Sequence, residues 1–237
     1  MTFQLKRHHL ITQSRGVALF LSAALLTAHA PRAEAQYAGA TTQYAGPATT
    51  AASTTLDKLV ADLKNGGFVI VFQHGATNAN QADTDPFHLD NISAQRLLSN
   101  DGRAVARKVG DAFRKLGIPL GDVYSSQFNR ASETARLVSG KSPTTTADLT
   151  EGGLVVSPAE NARRAKALKI LATVVPAAGV NTLIVTHKPN ILDAFGKDWF
   201  DSKEGEASVF KPDGSKDPVL VARVQATDWV KAAGDRD

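Results

Sequence analysis

The 237 residues are 43% hydrophobic and 21% charged, an ordinary globular balance that allows one sizeable α/β core or two small ones. The net charge of +4 is concentrated at the start, where Lys6, Arg7, Arg15 and Arg32 face Glu34 alone; the rest nets +1, so charge makes no case for nucleic-acid or membrane binding by the folded part. The absence of cysteine excludes disulfides, thiolate metal sites, a cysteine nucleophile and a lipoprotein anchor.

Residues 1–35 read as an export signal. A basic stretch precedes the apolar run "GVALFLSAALLTA", which is too short for a comfortable membrane span. Ala28-His29-Ala30 and Ala33-Glu34-Ala35 are both small-x-small sites. Pro31 disfavours the first, so cleavage is expected after Ala35, with an uncleaved anchor as the alternative. The mature protein is then periplasmic or secreted, and no second long apolar run follows. Residues 36–53, with the near-repeat "QYAGATT" and "QYAGPATT", read as a flexible tether, and the folded domain is expected over 54–237.

Leu56, Leu59, Val60 and Leu63 mark one helix face, capped by Thr54 or Thr55 and ended by Gly66-Gly67. "FVIVF" (68–72) is a continuous β-prone run, as expected of a strand buried on both faces. A polar loop over 73–98 leads to an amphipathic helix over 99–117, a strand over 122–126 and a helix over 129–140. A helix over 158–175 carries Pro158 at its start, where proline is tolerated. "NTLIVT" (181–186) is a second buried strand, and a helix opens at 189. "EASVFKP" and "PVLVARVQ" form a terminal hairpin around "DGSKD". This alternation predicts a three-layer αβα sandwich with a mainly parallel sheet, whose ligands bind at the carboxyl ends of the strands.

Both buried strands end at a histidine, His74 and His187, and the strand ending in "SSQFNR" places Arg130 in the first turn of a helix. Imidazole is a nucleophile, and the guanidinium fork matches phosphate oxygens. Together these groups suit phosphoryl transfer, where positioning and charge stabilisation do most of the catalysis. Each residue also has a plainer reading: a histidine at a strand end is often structural, Arg130 could pair with Glu133, and Gly75 could be a turn glycine. The segment "RRAKALK" reads as a solvated helix face.

"FQHGATN", "LSNDGRAVARKVGDAF", "VYSSQFNRASETA" and "IVTHKPN", in this order and spacing, resemble the histidine phosphatase superfamily, also called phosphoglycerate mutase-like, over roughly residues 55–225. The resemblance implies a single αβα domain without metal or cofactor, acting on a small-molecule phosphomonoester. It implies His74 as the nucleophile that becomes phosphohistidine, and Arg130 and His187 as phosphoryl ligands. "LTEGG" puts Glu151 where many members keep a proton donor, against the alternative of a surface-loop carboxylate. "QADTDPFHLDNISAQRLLS" resembles a loop of exported bacterial members; its Arg96 would reach phosphate or substrate, or pair with Asp90 or Asp101. Gly75 would let the backbone approach the ligand.

Gln73 departs from the pattern, because the family normally has arginine there, on the phosphate. Losing a charge-assisted bond of about 1.5–3 kcal/mol would weaken phosphate binding roughly ten- to a hundredfold. Two readings follow: a phosphatase that tolerates glutamine, or a weakened phosphate-binding pseudoenzyme. Lys188 could replace the lost charge, and Asp193 could orient a catalytic group.

Overall fold

The computed structural model describes residues 55–234 apart from 154 and 216, all within one unit of the chain, 48–237. The expected export signal and the whole of the tether therefore lie outside the described residues. The first helix, α1 (Leu56–Leu63), begins where Thr55 Oγ1 accepts the amide of Lys58, and it buries Leu59, Val60 and Leu63. Gly66, at φ +74°, then turns the chain. A Cβ there would lie 2.3 Å from the Val180 amide nitrogen, so only glycine fits without backbone movement.

The other helices are α2 (Asn100–Leu116), α3 (Asn129–Ser139), α4 (Pro158–Leu171), α5 (Lys188–Phe195) and α6 (Ala226–Ala232). The strands are β1 (Val69–Gln73), β2 (Leu120–Ser126), β3 (Thr144–Thr146), β4 (Asn181–Thr186), β5 (Ala207–Lys211) and β6 (Val219–Val224). They form one mixed sheet in the order β3-β2-β4-β1-β5-β6. The first four strands in that order run parallel, and β5 and β6 add an antiparallel edge.

Strand alternation divides the core. Ile70, Phe72, Leu183 and Val185 face α1, α2, α3 and α6, whereas Val69, Val71 and Ile184 face α4 and α5. The sheet is therefore covered on both sides, which is why β1 up to Phe72 and the middle of β4, Leu183 to Val185, read as unbroken apolar runs. The expected α/β sandwich with a mainly parallel sheet is the fold observed, and β5 and β6 pair as the expected hairpin.

Three elements differ from expectation. The edge strand β3 consists of three threonines with no alternating pattern. The short α6 has no side-chain cap, yet it seats the fully buried Trp229 edge-on against Phe113, with ring centroids 5.0 Å apart. The helix α4 stops at Leu171 and not at 175, because three β-branched residues, Thr173, Val174 and Val175, follow, the last directly before Pro176.

Candidate functional site

Three adjacent strand ends build the site. Gln73 pairs with Thr186 across the parallel strands β1 and β4, so the next residues, His74 and His187, leave the sheet side by side. Their ring centroids are 5.1 Å apart, edge to face. The strand β2, on the other side of β4, ends at Ser126, and the following turn puts Arg130 in the first turn of α3.

His74 is 4% exposed, and its Nδ1 lies 2.8 Å from the Gly75 carbonyl oxygen. A carbonyl only accepts, so Nδ1 carries the proton and Nε2 keeps its lone pair. Burial, followed by the neighbouring His187, pushes the His74 pKa down to about 3, which leaves the ring neutral at physiological pH. This is the protonation state a nitrogen nucleophile needs.

His187 is fully buried, with Nε2 sharing a 2.7 Å hydrogen bond with Ser126 Oγ. Its Nδ1 lies 3.2 Å from Glu151 Oε1 in a close polar contact that is not an aligned hydrogen bond. Burial lowers the His187 pKa, and the Glu151 carboxylate opposes that shift without overcoming it. Phe128 packs edge-on against the ring at 5.5 Å.

The Arg130 guanidinium is also fully buried. It donates to Asp83 Oδ1 at 3.0 Å, to the Arg96 carbonyl at 3.3 Å and, in a very short contact, to Glu151 Oε1, while its carbon lies 4.1 Å from the centroid of the Phe128 ring. Burial alone would raise the Glu151 pKa, but His187 and Arg130 together hold it well below the usual carboxylate range. One buried cation thus meets two carboxylates beside two neutral imidazoles, so the resting cluster is net anionic.

Of the residues picked out from the sequence, His74, His187, Arg130 and Glu151 come together. Arg130 does not pair with Glu133, which instead takes Arg103 at 2.8 Å. Arg96 adjoins the cluster through its backbone: its carbonyl accepts from Arg130 and its amide donates to Asp83 at 2.9 Å. Its half-buried side chain pairs with neither Asp90 nor Asp101 among the described residues. Gln73 is buried at the end of β1, with Oε1 accepting from Ser202 Oγ at 3.0 Å. Its side-chain amide donates no hydrogen bond among the described residues. Lys188 Nζ lies 5.4 Å from the centroid of the Phe200 ring.

Gly75 donates its amide to Thr134 Oγ1 at 3.1 Å, and a Cβ there would lie 3.3 Å from the Gly102 carbonyl oxygen. Gly102 is tighter still, since its Cβ would meet the Ala76 carbonyl oxygen at 2.0 Å. The start of α2 is therefore pressed against the chain that leaves His74, which fixes the backbone just after that histidine.

Sequence reasoning missed Asp83, one acid among several in a polar loop with nothing in its neighbours to mark it. It also assigned no role to Ser126 and Thr134, although both are letters of the "SSQFNRASETA" motif. Thr134 donates to the Arg130 carbonyl at 2.7 Å, so a single hydroxyl ties the Gly75 turn to the first turn of α3.

No curated protein matches the sequence. Among solved structures, the chain is similar to the protein histidine phosphatase SixA complexed with tungstate, at 18% identity and TM-score 0.48, covering 68% of this chain and 97% of that one. It is also similar to a phosphoserine phosphatase mutant from Entamoeba histolytica, at 17% identity, TM-score 0.46, 68% and 98% coverage. A putative SixA from Nakamurella multipartitia gives 18% identity, TM-score 0.44, 68% and 98% coverage. From the first residue of β1 to just past Glu151, residues 69–154 match the family model of the histidine phosphatase superfamily, branch 1, the family the sequence motifs resemble.

Proposed function

We propose that the protein is an exported phosphatase that hydrolyses phosphomonoesters through a phosphohistidine on His74. The observation that carries this reading is the His74 tautomer: Nδ1 is tied to the Gly75 carbonyl, and the ring is held neutral with Nε2 free. The match of residues 69–154 to a phosphatase superfamily supports it.

In this reading the phosphoryl oxygens take the place of Glu151 on Arg130 and lie against His187. That exchange removes the cation from Glu151 and sets negative charge beside it, so its pKa rises and it takes up a proton. Nε2 of His74 attacks phosphorus and the P–O ester bond breaks. Glu151 protonates the departing oxygen, which leaves as the alcohol. Water then attacks phosphohistidine, its proton goes to the Glu151 carboxylate, and the N–P bond breaks to release phosphate. Because the resting cluster is net anionic, dianion binding is coupled to proton uptake and strengthens as pH falls.

One observation favours the second reading, a weakened phosphate-binding protein. Arg130 alone offsets Asp83 and Glu151, and Gln73 brings hydrogen-bonding capacity but no charge. Phosphate release from an aryl monoester decides between the two. Release that disappears in His74→Ala supports the enzyme, and phosphate binding without release supports the binder. Export, with Gln36 as the first mature residue, is tested by N-terminal sequencing of protein recovered outside the cytoplasm.

A further inference from the structure

Beside the Arg130 cluster lies a cavity of about 410 Å³, within the range of small-molecule sites. Glu151, the proposed proton donor to the leaving oxygen, forms part of its wall, so the alcohol half of a substrate would lie in this cavity and not over His74. We propose that this half is an uncharged apolar or aromatic group. The proposal rests on the phosphatase reading and adds the substrate class to it.

The lining carries the argument. Pro86, Leu89, Phe128, Val155 and Val156 supply an apolar surface. The charged groups at its edge are already engaged. Asp83 and Glu151 are both spent on Arg130. Arg164 donates to Glu160 at 2.9 Å and to the Thr150 carbonyl at 2.8 Å. A leaving group bearing a carboxylate would meet the Asp83 carboxylate, add a second anion beside the proton donor Glu151, and find no free guanidinium among these residues. A group bearing an ammonium would have to draw Asp83 away from Arg130 or hold Glu151 ionised, which would cost the proton it gives to the leaving oxygen. An apolar group needs neither and gains from burial against Phe128 and the valines.

The wall is also preformed. A Cβ on Gly152 would lie 2.4 Å from Asn161 Oδ1 and 2.5 Å from Val156 Cβ, so the turn carrying Val155 and Val156 is pressed onto the start of α4. The apolar surface is therefore in place before a ligand arrives.

The test is calorimetric titration of the full-chain protein with methylphosphonate, 3-phosphonopropionate and 1-naphthylmethylphosphonate, and of Val155→Asp with the same three. Val155 is 42% exposed, so this change leaves the core intact, and methylphosphonate checks the anion seat in the variant. The naphthylmethyl probe is expected to bind at least about tenfold tighter than methylphosphonate and the carboxylated probe more weakly, with Val155→Asp removing most of the naphthyl gain. Equal affinities, a preference for the carboxylated probe, or a naphthyl gain untouched by Val155→Asp would overturn the leaving-group assignment while leaving the anion seat standing. Failure of all three probes to bind would overturn the anion seat, and this proposal with it.

Discussion

Glu151 is asked to play two parts, resting counter-ion of Arg130 and proton donor in turnover, and Glu151→Gln separates them. The carboxylate contacts Arg130 directly and lies 3.2 Å from His187 Nδ1, so an incoming phosphate competes with it for both groups. A hydrogen bond to a charged group is worth about 1.5–3 kcal/mol. Making the competitor neutral should therefore tighten inorganic phosphate binding by roughly ten- to a hundredfold. Turnover should move the other way. Esters with poor leaving groups should lose about 10²–10⁴ in kcat, the usual size of general-acid assistance, whereas p-nitrophenyl phosphate, whose leaving oxygen needs little help, should lose much less. Calorimetry with phosphate and steady-state kinetics on the two ester types read both effects. Phosphate binding that weakens or stays the same in Glu151→Gln would refute the competition argument, and an equal loss on both esters would refute the proton-donor role.

Three further outcomes follow from the structure. The folded pKa of His74, about 3, lies below its unfolded value of about 6.5, so its contribution to stability is full above pH 6.5 and is lost as pH falls from 6.5 towards 3; urea unfolding should show the native protein losing about 2 kcal/mol more than His74→Asn between pH 7.5 and pH 5. Gln73→Arg should tighten phosphate binding roughly ten- to a hundredfold, at the loss of the Ser202 bond worth about 1 kcal/mol, and unchanged affinity would mean that this position does not reach the anion seat. Trp229→Ala should destabilise the domain by about 3–5 kcal/mol in urea titrations by emptying the space against Phe113, without altering phosphate affinity in the folded protein.

Much of the fold was readable because burial on both faces leaves a distinctive trace. The strand β1 is apolar up to Gln73 and β4 is apolar from Leu183 to Val185, and each ends at a polar residue that the fold places at the sheet edge. Glycine and proline marked the ends of α1 and α3 and the start of α4, because their backbone preferences act locally. What escaped notice depends on partners distant in sequence. The edge strand β3 exists because β2 offers it a parallel edge, and α6 exists because Phe113 and its neighbours receive Trp229.

The same division holds at the site. Strand exits pointed to His74 and His187, and the helix start pointed to Arg130. Asp83 matters only because folding brings it 3.0 Å from a guanidinium forty-seven residues away. The resemblance to a family supplied Glu151, which spacing alone left open between a proton donor and a surface carboxylate. The structure places it on Arg130 and His187. Gln73 was conspicuous from the start, whereas its partner, Ser202, could be found only in three dimensions.

The measurement that bears most directly on the central claim is a search for phosphohistidine. The full-chain protein would be mixed with an aryl phosphate, quenched in alkali, where phosphohistidine survives, digested and sequenced by mass spectrometry. The account predicts an alkali-stable, acid-labile phosphoryl group on Nε2 of His74, absent from His74→Ala, which should also release no phosphate. Undiminished phosphate release by His74→Ala would contradict it, as would turnover by the native protein with the phosphoryl group on another residue.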